Sequence, residues 1–236
     1  GYGTRDQIGA SAYYTNVVIN DYHLESTGAL VGLYDRVELS VARQTFDTQT
    51  VGAALGLGAG FKIKQHIYGI KVRLLGDAVL DQDSWLPQIA LGAQYKRNDQ
   101  GAVVRSIGAR DDVGVDYYLS ATKIFLAQSL LTNVTLRRTS ANQLGVLGFG
   151  GDREDAHTFQ LEASLAYLVH RSLAIGVEHR QKPDNLKVAT EEDWSDIFVA
   201  WAPTKNVTLT AAYTMLGNIA LRDNQSGFYT SLQLGF

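Results

Sequence analysis

The chain has no cysteine, so structural zinc–thiolate sites, thiol nucleophiles and disulfides are all excluded. It also lacks long apolar runs. The longest, residues 51–61, is short and rich in glycine, whereas a membrane-spanning helix needs about 18 or more apolar residues in a row. Charge is scarce: Asp, Glu, Lys and Arg make up 19% of the chain, against roughly 25% in soluble domains. With 21 basic and 24 acidic side chains the net charge is −3, so there is no positive excess for a nucleic-acid partner. His23, His66, His157 and His170 show no metal-ligand spacing, and neither a metal nor another cofactor is expected. The chain starts at Gly1, with no signal peptide in view, and reads as a processed or truncated form.

What is present is arrangement rather than amount. Hydrophobic content is ordinary at 45% and the mean hydropathy of −0.08 is close to zero, so apolar residues must be finely interleaved with polar ones. They alternate with period two. Residues Val207, Leu209, Ala211, Tyr213 and Met215 alternate with Thr208, Thr210, Ala212 and Thr214. Likewise Phe159, Leu161, Ala163, Leu165, Tyr167 and Val169 alternate with Gln160, Glu162, Ser164 and Ala166. A helix would instead repeat apolar residues at three- and four-residue intervals, and these segments are rich in β-branched and aromatic side chains. Strands are expected near 8–20, 23–34, 37–47, 64–75, 86–97, 113–125, 128–140, 157–169, 172–182, 193–202, 207–216 and 226–236.

The connections alternate too. Short ones fall at 34–36, 126–127, 170–171 and 203–206, with a somewhat longer one at 76–85. Long ones, rich in Gly, Asp and Asn, fall around 48–63, 98–112, 141–156, 183–192 and 217–225, and only the short turn at 20–23 breaks the pattern. Short turns at one end and long loops at the other are the pattern of outer-membrane barrels. Strands of about 9–11 residues cross a bilayer when tilted, and a closed barrel satisfies every backbone group there. The fold class expected is therefore all-β: a transmembrane, antiparallel, up-and-down barrel of about 12 strands, as one domain over 1–236. A soluble sandwich or lipocalin-like barrel would alternate equally well. It would have to bury the apolar face of every strand inside one barrel, which has too little volume. It would also leave Trp85, Trp201, Tyr213, Phe228 and Phe236 near strand ends, where interfacial aromatic girdles sit in lipid-embedded barrels.

The ending LQLGF, with Phe236 last and apolar residues at alternate positions upstream, resembles the assembly signal of Gram-negative outer-membrane barrels. Segments 1–10 (GYGTRDQIGA), 31–48 (VGLYDRVELSVARQTFDT), 81–96 (DQDSWLPQIALGAQYK), 147–153 (LGFGGDR) and 198–213 (FVAWAPTKNVTLTAAY) resemble an uncharacterised proteobacterial family known as a domain of unknown function. The resemblance implies a bacterial outer-membrane location, insertion by the barrel-assembly machinery and kinship with small channels for aromatic or apolar molecules. It carries over no catalytic or binding residue.

If the aliphatic face meets lipid, the opposite parity lines the interior. That set contains Glu38, Lys71, Arg73, Lys96, Asp116, Arg137, Glu162, Glu178, Arg180, Lys182 and Asp196. Six are basic and five acidic, which argues against a strongly ion-selective pore. Two arrangements follow. Lys71, Arg73 and Lys96 could oppose Glu162 and Glu178 across an eyelet for polar solutes. Alternatively the charges pair along the wall, since unpaired buried charge is costly, and the path is lined by Tyr118, Tyr229, Phe198 and Leu131. The second arrangement is preferred and suits apolar or aromatic solutes. Arg43 and Arg138 fall on the lipid-facing parity before long loops, and are expected to contact lipopolysaccharide phosphates at headgroup height.

Two further features are weighed. The segment 51–61 could fold inward as a constriction or dip into the outer leaflet, with ordinary loop packing slightly preferred; its GLGAG run lacks the Lys-Ser/Thr of a phosphate loop. His179 and Ser195 point outward near the ends of adjacent strands, which could activate a serine for lipid hydrolysis, but no third residue orienting the imidazole is identifiable. The expected function is thus a non-enzymatic channel for passive uptake of small, apolar or aromatic solutes. A closed structural or adhesion barrel with ligand-binding loops is the alternative, and a lipid hydrolase the third reading.

Overall fold

The computed structural model describes residues 8–79, 85–188 and 190–236. The strands are β1 Ile8–Ile19, β2 His23–Leu33, β3 Val37–Asp47, β4 Lys62–Leu75, β5 Gln88–Asn98, β6 Val113–Phe125, β7 Leu130–Thr139, β8 Thr158–His170, β9 Leu173–Arg180, β10 Trp194–Thr204, β11 Val207–Ile219 and β12 Arg222–Gly235. Each pairs antiparallel with its sequence neighbours, and β1 pairs with β12, so the sheet closes into a barrel with no free edge. The last residue joins the seam: the Phe236 amide donates to the Ala10 carbonyl at 2.8 Å, and the Ala10 amide donates back at 3.2 Å.

Period-two alternation decides which way each side chain points. On β8, Phe159, Leu161, Leu165 and Tyr167 are exposed on the outer wall, whereas Gln160, Glu162 and Ser164 turn inward. The same holds for Leu39 and Val41, Tyr68 and Ile70, Leu119, Leu136, and Ile197 and Val199. A continuous apolar belt of this kind has no place in water. It is the lipid-facing surface of a transmembrane barrel, and the all-β, antiparallel, twelve-strand architecture expected from the sequence is the one found.

The start of β1, the end of β12, and the turns at 34–36, 126–129, 171–172 and 205–206 lie at one end, as do the last residue of β4 and the first of β5. Long loops at 48–61, 99–112, 140–157 and 181–193 crown the other. The long connection expected at 217–225 is absent. β11 and β12 stay paired through two bulges, at Gly217 and towards Ile219, and only residues 220–221 turn. Gly217 adopts φ 62°, a conformation that accommodates the extra residue of a bulge. Two neighbouring hairpins, β1–β2 and β11–β12, therefore carry no long loop at the loop end.

The buried apolar core lies under the crown. Val17, Ile19 and Phe46 come from the wall, Tyr22 from the β1–β2 turn, and Val51, Val104, Leu147 and Leu186 from the loops.

Candidate functional site

Apart from Lys182 the charged interior residues sit on the wall as their parity requires, and apart from Asp196 they form local ion pairs. Lys71 Nζ is 2.9 Å from Glu38. Arg73 reaches Asp35 at 2.9 Å and Asp77 at 3.3 Å near the terminal end. Lys96 and Asp116, both buried, meet at 2.7 Å. Arg137 lies 3.5 Å from Asp116 and donates to Glu162 at 2.7 Å and to Gln94 at 3.0 Å. Arg180 donates to Glu178. Together with Asp196 these residues form a band across β3 to β10, eight of the twelve strands. There is no pair of opposed positive and negative walls. The partner of Glu162 is Arg137 on β7 rather than Arg180 on β9, because long side chains reach diagonally as well as straight across. Lys182 is the exception to the expected set: β9 ends at Arg180, and the Lys182 side chain is buried among the loops, 3.1 Å from Glu191.

The other sector differs. Among the described residues the interior positions of β11, β12, β1 and β2 carry no charge within the barrel. Thr208, Thr210, Ser231 and Gln233 line it with Ser11, Thr15 and Ser26, giving way to Val17, Ile19, Leu24 and Leu216 towards the loop end. Interior aromatics lie flat against the wall because glycine stands opposite them. Tyr118 pairs with Gly92, Phe198 with Gly176 and Tyr13 with Gly28. A Cβ on Gly92 would meet the Tyr118 ring at 2.2 Å. Arg137 covers the Tyr118 ring at 5.1 Å, so Tyr118 belongs to the charged band and is not an open apolar lining. Phe198 and Tyr229 line a cavity of about 200 Å³ that also contains Glu178, Arg180 and Asp196, so this part of the interior is mixed rather than apolar. Leu131 faces inward near the terminal end of β7.

The mouth is crossed by the 140–157 loop. Residues 140–150 are almost all buried, although the loop is rooted between β7 and β8 and would ordinarily be solvated. On one side the Leu144 carbonyl accepts from Lys96 at 3.0 Å, and Asn98 donates to the Val146 carbonyl at 2.7 Å. On the other, Gln143 donates to the Asn218 carbonyl at 3.0 Å and to Glu191. β5 and β11 are six strands apart in a ring of twelve, so the loop spans the diameter. Its shape is held by Asn142, whose amide donates to the carbonyls of Leu147 at 3.3 Å and Gly150 at 2.8 Å and whose oxygen accepts from Asn185 at 3.0 Å. Gln143 and Leu144 adopt φ 45° and 59°, followed by Gly145 at 104°. Positive φ at two successive non-glycine residues costs of order 1–3 kcal/mol each. The 51–61 segment does not fold across the mouth: Val51–Ala54 forms a helical turn with Val51 buried, while Gly56, Gly58 and Gly60 are open to space.

The plug was not anticipated from the sequence, yet a signal was there. Residues 140–151, SANQLGVLGFGG, contain no charge and four large apolar side chains, the same anomaly that marked 51–61.

On the outer wall, His179 Nδ1 is 2.9 Å from Ser195 Oγ. Contrary to the sequence reading, a third residue is present, since Asp193 lies 3.4 Å from the other ring nitrogen. Ser195 is paired with His179 on one side and Met215 on the other, so the strand amides beside it are held in the ladder and cannot turn to an oxyanion. Arg43 and Arg138 both point outward. Arg43 stands in register with His66 and Arg97 on the next two strands, forming one basic row, whereas Arg138 lies between Tyr117 and Phe159.

A family model described as "Protein of unknown function (DUF3034)" matches residues 1–233. No curated protein matches the sequence. Among solved structures, the KdgM porin in complex with disordered oligogalacturonate is similar at a TM-score of 0.61 and 11% identity, over 96% of this chain and 99% of that one. The NanC porin gives 0.61 and 11%, over 95% and 98%. The outer membrane protein Omp33 of Acinetobacter baumannii gives 0.56 and 8%, over 99% and 100%. At these identities the likeness is one of fold.

Proposed function

We propose that this chain, which belongs to the DUF3034 family over almost its whole length, is a narrow outer-membrane channel for passive uptake of small apolar or aromatic solutes. The observation that carries the reading is the division of the interior. Charges are confined to β3 to β10 and neutralise one another there, while β11 to β2 offers a wall of hydroxyl, small and apolar side chains. A solute without charge gains nothing from a paired band and loses little against the neutral wall. The long loops face outside the cell, and the 140–150 segment gates the mouth. Arg43, with His66 and Arg97, contacts lipopolysaccharide phosphate, and Phe236 guides assembly by closing the seam.

The test is uptake into asymmetric vesicles with a lipopolysaccharide outer leaflet. Benzyl alcohol is expected to enter faster than through protein-free vesicles, and benzoate is not. Equal acceleration of both would overturn the preference for uncharged solutes. The filled mouth favours a second reading, a closed barrel whose loops bind something outside. That reading requires neither compound to enter faster than into protein-free vesicles, even after the 142–148 segment is shortened.

A further inference from the structure

Where the plug meets the neutral wall it leaves a cavity of about 40 Å³. Its walls are apolar: Val17 and Ile19 from β1, Leu24 from β2, Phe46 from β3, and Leu216 and Ile219 from β11. Val146, from the plug, closes the cavity from the loop side as one of its lining residues. Two polar side chains reach the cavity, Gln143 and Trp194. The Gln143 amide nitrogen already donates to Glu191 and to the Asn218 carbonyl. Lys182, whose ammonium lies 5.2 Å over the Trp194 ring, has three acceptors for its three protons: Glu191, the Gln143 oxygen and the Leu216 carbonyl. The Trp194 indole N–H, by contrast, is buried without an acceptor. A buried donor left unsatisfied costs about 1–3 kcal/mol, and such a group on a side chain that borders an apolar cavity calls for an explanation.

We propose that this pocket, bounded by Val17, Ile19, Phe46, Val146, Trp194 and Leu216, binds a compact apolar solute with one hydrogen-bond acceptor. The acceptor meets the Trp194 N–H. As it stands the cavity is too small for a ring, since benzene occupies an apolar cavity of roughly 150 Å³. Val146 must therefore leave, and the solute takes the place the plug side chain holds. Gln143 and Leu144, the two positive-φ non-glycine residues shortly before Val146, make that displacement less costly, because moving them releases backbone strain. Binding and opening become one event: an apolar molecule competes with Val146 for the wall. The inference rests on the channel reading for its place on an uptake path, but the binding itself is independent of flux.

The test uses the full chain, ¹⁵N-labelled on its indoles, in lipid nanodiscs. The Trp194 N–H resonance is identified by its loss in Trp194→Phe. Acetophenone, which carries a carbonyl acceptor, is expected to shift this resonance downfield and saturably, while ethylbenzene, of similar size, shifts it less. Trp194→Phe is expected to weaken acetophenone roughly tenfold, the worth of one hydrogen bond, and to leave ethylbenzene within about twofold. Val146→Ala, which vacates space without touching the indole, should tighten both ligands. Linear, non-saturating shifts equal to those of Trp85 and Trp201 would mean partition into lipid and would overturn the site. Saturable binding indifferent to Trp194→Phe would overturn the role of the indole. Binding without any solute flux would sink the channel reading and leave this one standing; flux without saturable binding would do the reverse.

Discussion

Gly92 is small because Tyr118 needs the room. The ring lies where a Cβ on Gly92 would sit, so Gly92→Ala is expected to push Tyr118 off the wall and to cost about 1–3 kcal/mol. Urea unfolding of the reconstituted barrel measures this, and Tyr118→Ala in the same chain should restore most of the loss. Lys182 and Glu191, in the 181–193 loop, carry a second expectation at this scale. Burial, the largest cause for both, pushes the Glu191 carboxyl above its ordinary 4.5 and the Lys182 ammonium below its ordinary 10.5. Asp184 raises Glu191 further, while Lys182 and Gln143 oppose the shift. A plug that moves away would expose Glu191 to water, so the closed form holds its proton more tightly than the open one. Closure is therefore favoured by acid. The gain is complete below about 4.5 and is lost as pH rises through the raised value; the Lys182 shift acts on the alkaline side. Openings should be rarer at pH 4.5 than at pH 7, and Glu191→Gln should remove the difference; more frequent openings in acid would contradict the assignment. Which side each residue faces was legible in the sequence, because one residue of register inverts a strand. Which partner it takes was not, as Glu162 and Arg137 illustrate.

The strands were legible because lipid outside and a polar interior impose period two on every crossing. Their ends were less so: Gly217, Asn218 and Asp223 have loop chemistry, yet bulges carry the ladder through to Ile219 and Arg222. The plug was hidden for a different reason. Its burial comes from contacts to β5 and β11, six strands apart across the mouth, and no local pattern encodes those. Asn142 is the element's keystone, with two donated bonds and one accepted. Asn142→Ala leaves buried carbonyls without a donor and should weaken closure by about 1–3 kcal/mol, seen as a higher open probability in planar bilayers with the barrel itself unchanged in heat-modifiability. An unchanged open probability would mean that the segment is not the gate. Lys96→Ala should act in the same direction, since it removes the shorter of two donors to the Leu144 carbonyl as well as the nearest cation to Asp116. Arg73→Ala, far from the plug and beside Asp35 and Asp77, should alter ion selectivity little.

At the scale of the whole molecule the barrel has two unlike sectors. Long loops cover the eight strands from β3 to β10, whose interior charges neutralise one another; the four from β11 to β2 have only tight turns, 20–22 and 220–221, and are covered by the borrowed Val146 segment. The closed twelve-strand form was readable from strand count and connection lengths. The division into sectors was readable in part, since parity alone leaves β11, β12, β1 and β2 free of interior charge, but the plug that meets this neutral sector was not. The central claim is that a narrow, weakly selective pore lies beneath a removable plug. Single-channel recording in planar bilayers tests it most directly, comparing the native chain with one in which 142–148 is replaced by a short Gly-Ser link. The native barrel should give small, intermittent conductance, and the shortened one larger, sustained conductance with cation and anion permeabilities still within about twofold of each other, as paired interior charges require. A silent shortened barrel, or one with strong selectivity for either sign, would contradict the account.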